Sequence, residues 1–166
     1  MGQAMNMTET PMPSKAIMYS YIGLCFGDMA SGLFSQYLKS RKKAIFTFLI
    51  LSIFSILFYL FIGKQNLTMF YISCVLIGFS SGYWAVFNIT ASEQFGTNLR
   101  ATVTTSVPNF VRGAVPLINI VADSFKTAGN SYIASSLYVG LIVFALAFVA
   151  LYTLKDTFSK ELDYVE

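Results

Sequence analysis

The sequence predicts an all-α membrane protein with five transmembrane helices. Three observations lead there. Of 166 residues, 55% are hydrophobic and only 11% charged, against about 25% charged in soluble domains. Mean hydropathy is +0.63. Apolar stretches of membrane-crossing length recur between short polar loops, and 16 Phe and 10 Tyr supply the aromatic anchors that membrane helices place at their interfaces.

Residues 1–14 are polar and read as a loose tail, without the basic start of a signal peptide. The bundle occupies 15–154. Its first span, 15–38, repeats Gly23, Gly27, Ser31 and Ser35 every four residues, a small-residue face for close helix approach. Asp28, Gly32 and Gln36 form the adjacent face. A basic loop, Lys39 to Lys43, follows. The second span, 44–63, is apolar on every side and is expected to face lipid. The third, 67–90, carries Cys74, Gly78 and Gly82 at intervals of four, again a packing face. Cys25 and Cys74 read as inert packing residues, and two cysteines without histidine make no metal cluster.

The fourth span, 101–125, carries the chemistry. Thr105, Asn109, Arg112, Pro116, Asn119 and Asp123 are spaced by fours and threes, so they share one helix face. Val107, Phe110, Val111, Val115, Leu117, Ile118 and Ile120 occupy the others. A charge inside a span is costly and points to a bundle interior or a wet cavity. Pro108 and Pro116 each remove a helix hydrogen bond, which leaves carbonyls in need of partners. The fifth span, 131–154, is nearly pure apolar and is expected to face lipid. Residues 155–166 read as a charged, solvated cytoplasmic tail.

Basic residues set the expected orientation. With the Lys39–Lys43 loop inside, the inner sections hold seven (Lys39, Arg41, Lys42, Lys43, Arg100, Lys155, Lys160) and the outer sections three (Lys15, Lys64, Lys126). The N-terminus is then outside and the C-terminus cytoplasmic, in a plasma or inner membrane. Asp28 and Arg112 fall at matching depth, roughly 15 Å from the cytoplasmic ends of their spans. Three readings stay open: a structural ion pair, a working site in which Arg112 holds a solute and Asp28 exchanges a proton, or two charges that face different cavities and never meet.

The two inner loops carry a further pattern. Gly32, Gln36 and Arg41-Lys42 resemble the loop signature between helices eight and nine of the major facilitator superfamily. Glu93 and Arg100, in Ala91–Thr102, look like its Glu-x6-Arg signature between helices ten and eleven, as found in sugar-type carriers. Gln36 stands where an acidic residue is common. The resemblance implies a partial six-helix half of a major facilitator fold, matching helices eight to twelve. It implies a cytoplasmic gate formed by Arg41, Glu93, Arg100 and Gln36, which holds the two halves of a carrier together in one state and releases them in the other.

The expected function is therefore secondary transport of a small polar or anionic solute by alternating access, with a proton gradient as the candidate driving force. Thr105, Asn109, Arg112 and Asn119 are the expected substrate contacts, and Asp28 and Arg112 the coupling charges. Five helices do not make two rocking halves, so the chain is expected to be a fragment, inactive without the missing N-terminal helices. Its partners are the lipid bilayer, the solute and those helices. No basic stripe suits nucleic acid, no cofactor is implied, and no nucleophile–base set marks an enzyme. The alternative is a non-transporting five-span scaffold whose Asp28–Arg112 pair locks packing.

Overall fold

The computed structural model describes residues 11–63, 65–127 and 132–158. Residues 1–10 of the expected tail over 1–14, Lys64, residues 128–131 and the charged tail from 159 lie outside them. The described residues form helices and connecting turns. These are α1 (Pro13–Tyr37), α2 (Arg41–Phe61), α3 (Leu67–Ser80), a 3-10 turn (Ser81–Tyr83), α4 (Trp84–Glu93), α5 (Thr97–Thr127) and α6 (Tyr132–Thr153). Three stretches are long and apolar enough to cross a membrane: Arg41–Phe61, Leu67–Glu93 and Ile133–Thr153. The protein is thus membrane-embedded by composition. α1 and α5 have the length, at 25 and 31 residues, but are not among these three. Gly, Ser and Asp28 dilute the first, and Thr, Asn and Arg112 the second.

Local signals set the helix ends. Pro13 sits in the first turn of α1, where its missing N–H costs nothing. At the other end the Lys39 N–H donates to Gln36 O (3.2 Å) and the Ser40 N–H to Ser35 O (3.3 Å). This is the Schellman pattern, with its left-handed residue at Lys39 (φ 49°). Glycine usually fills that position, because a Cβ there costs roughly 1–2 kcal/mol. Ser40 then caps α2, its Oγ accepting from the Lys43 N–H at 3.2 Å. That cap, worth about 1 kcal/mol, starts the helix at Arg41, ahead of the expected residue 44. Asn66 does the same for α3, accepting from the Met69 N–H at 2.8 Å.

The chain divides into two compact units, with the boundary inside α4 between Phe87 and Asn88. In the first unit α1 lies against α3. The four buried residues of α1 are Gly23, Gly27, Ser31 and Ser35, the small stripe itself. A Cβ on Gly23 would fall onto the Val75 carbonyl, one on Gly27 onto the Phe79 carbonyl, one on Gly78 onto the Ser20 carbonyl, and one on Gly82 onto the Gly27 backbone. Backbone meets backbone here, an approach that only glycine permits.

α2 does not face lipid on every side. Ala44, Ile45, Phe48, Leu49, Ser52, Ser55 and Leu60 are buried, and Phe48 stacks on Phe79 with ring centroids 5.9 Å apart. Uniform apolarity conceals this face in the sequence. Cys74 is buried, whereas Cys25 is exposed on α1 and is no packing residue.

In the second unit α5 and α6 pair with each other, with Phe125 and Tyr138 ring centroids 5.7 Å apart. Both helices leave most of their apolar side chains uncovered: Phe110 is 81% exposed and Leu141 72%. α5 starts at Thr97, four residues before the expected 101, with the Arg100 N–H donating to Gly96 O at 3.1 Å. It stays helical through Pro108 and Pro116.

Candidate functional site

Polar side chains from two helices converge on the 3-10 turn between α3 and α4. A turn of that kind interrupts the regular hydrogen-bond ladder, and in hydrocarbon the freed groups need partners. Ser52 Oγ of α2 lies 3.1 Å from Ser80 O and 2.9 Å from Phe48 O. Ser31 Oγ of α1 lies 2.5 Å from Gly82 O and 3.0 Å from Asp28 O. Each hydroxyl divides its single proton between its own helix and the turn. Just past the turn, the Ala85 N–H donates to Asp28 Oδ1 at 3.4 Å. Asp28 is half-buried, and its carboxylate sits where the first N–H groups of a new helix favour negative charge. Asp28 thus has a structural partner within its own unit. Ser31 and Ser52 are missed by a sequence search for site residues, because isolated serines in apolar helices look like small packing residues.

The polar row of α5 runs along an open helix surface. Thr105, Asn109, Arg112, Pro116, Asn119 and Asp123 are all exposed. Part of the row turns back on its own backbone: Thr105 Oγ1 donates toward Thr102 O (3.0 Å) and Ala101 O (3.2 Å), and Asn109 Nδ2 donates to Thr105 O (3.0 Å). Such local bonds use a side-chain donor on the helix's own carbonyls. An open groove of about 570 Å³ runs beside the row, lined by Ser106, Asn109, Phe110, Gly113, Ala114 and Leu117. Asn109 alone belongs to both groove and row. Asp28 and Arg112 belong to different units.

The expected gate residues divide the same way. In the first unit Gln36 is exposed and Arg41 Nη1 donates to the buried Ser35 Oγ at 3.2 Å. In the second, Arg100 Nη2 lies 3.5 Å from Phe95 O. Glu93 receives a partner from the tail: Thr157 Oγ1 donates to its Oε2 at 2.6 Å, a charge-assisted bond. Gln94 Nε2 donates to Lys155 O at 2.9 Å. Thr157 is 1% exposed, so the start of the tail is docked and not solvated. No periodic pattern marks Thr157, which follows the last helix.

Compared with protein-family models, curated proteins and solved structures, the chain matches none.

Proposed function

We propose that this chain forms C-terminal helices of a secondary transporter of the major facilitator type. In this reading all five helical segments cross the membrane, α1 and α5 beside the pathway. The observation that carries it is the α5 row: Thr105, Asn109, Arg112 and Asn119 exposed along a helix whose neighbour in chain order, α6, is nearly all apolar. An uncovered guanidinium at membrane depth calls for water, a solute or complementary helices. Arg112 suits a carboxylate or phosphate group on the solute. Glu93 is bonded to the docked tail, and a charge network there with Arg100 would open and close with the carrier.

A stand-alone scaffold is the second reading, and one observation favours it at Asp28. That carboxylate accepts from Ala85, a role that holds the helix interruption without any proton transfer.

The test is accessibility in the native membrane. In a Cys25→Ser background, single cysteines at Asn109, Arg112 and Asn119 are treated with a membrane-impermeant maleimide. Labelling at these three, with none at cysteines placed at Val111 and Ile118, away from both row and groove, is the expected result. A row sealed from both compartments would remove the pathway.

A further inference from the structure

The turn between α1 and α2 carries a second kind of polar chemistry. Lys39, Arg41, Lys42 and Lys43 place four cations in five positions. Asp28 is the sole carboxylate in the sequence between Pro13 and Phe61. Arg41 is turned inward, onto Ser35. Lys39 and Lys43 are exposed. Lys39 also occupies a left-handed backbone position (φ 49°) that glycine would fill with less strain, so a cation stands where backbone comfort alone favours none. Around the turn, Leu33, Tyr37 and Phe46 are 68%, 84% and 47% exposed. α2 is itself a membrane-crossing segment, so its first residues lie at a bilayer surface.

We propose that this turn binds the phosphate of an anionic membrane lipid, with Lys39 and Lys43 as the cationic contacts. Leu33, Tyr37 and Phe46 lie against the acyl chains. A basic cluster directly beside a membrane helix attracts anionic headgroups, and each lysine adds to the attraction. The uncovered apolar side chains next to the cations favour a lipid over a free phosphate, because water alone would leave them hydrated. The site is independent of transport and stands whether or not α5 lines a pathway.

The full chain in neutral detergent is mixed with phosphatidylglycerol or phosphatidylcholine, and bound lipid is counted by native mass spectrometry. Phosphatidylglycerol should be retained in preference, and less so as salt rises. The double variant K39Q/K43Q should bind it roughly 10- to 30-fold more weakly, with phosphatidylcholine unchanged. Lys39→Gly separates charge from folding: it removes the cation and eases the turn, so lipid retention should fall while the melting midpoint stays level or rises. Unchanged phosphatidylglycerol binding in the double variant and in Lys39→Gly would overturn the proposal. So would glycerol phosphate displacing the lipid at equal concentration, which would mark a soluble-phosphate site.

Discussion

Thr157 shows how much one hydroxyl can organise. Its bond to Glu93 ties the segment after the last helix to the end of α4, and its burial means that no water replaces it at once if the bond is lost. Removing the hydroxyl takes one charge-assisted bond from the carboxylate, a loss of about 1.5–3 kcal/mol. Thr157→Val should therefore free the tail, and Thr157→Ser should keep it docked. Trypsin cleavage after Lys155 reads the difference: several-fold faster in the valine variant, unchanged in the serine one. Lys39 presents the opposite case at the same scale, a residue retained in a backbone conformation that suits it poorly.

Between elements, the contact of α1 with α3 rests on absent side chains. At Gly82 a Cβ would meet the Gly27 backbone, whereas at Gly32 it would meet nothing within 4 Å. Gly82→Val should lower the apparent melting midpoint in detergent sharply, since a backbone cannot move aside as a side chain can; overpacking typically costs about 1–3 kcal/mol. Gly32→Ala, on the same helix face as Asp28, should be neutral or gain up to about 1 kcal/mol. Equal effects at the two positions would refute the packing account. The α1 stripe was legible in the sequence because small residues at a period of four stand out against large apolar ones. The packing face of α2 was not, since a helix apolar all round gives no contrast between lipid and core. The start of α2 was also hidden: Ser40 acts as a cap through geometry that a basic run disguises. The α5 row was legible as a row, by its period, but periodicity says nothing of what covers it. The cluster at the 3-10 turn was illegible because Asp28, Ser31 and Ser52 come from two helices and converge only in three dimensions.

Across the whole molecule, burial is uneven. α1 to α3 bury a shared seam of glycine, serine and aromatic residues, while α5 and α6 leave most of their surface open. Amide hydrogen exchange should follow that division. Amides along the α1–α3 seam should exchange last. Those around Pro108 and Pro116, where the helix lacks two donors, should exchange first. Uniform protection across both units in lipid nanodiscs would contradict the open α5 row.

The glycine seam has a consequence for biogenesis. Both of its strands of contact lie before residue 88, so every atom it needs has left the ribosome while the last two helices are still being made. The early helices can zip together at the translocon and wait, as a finished platform, for the later pair to arrive.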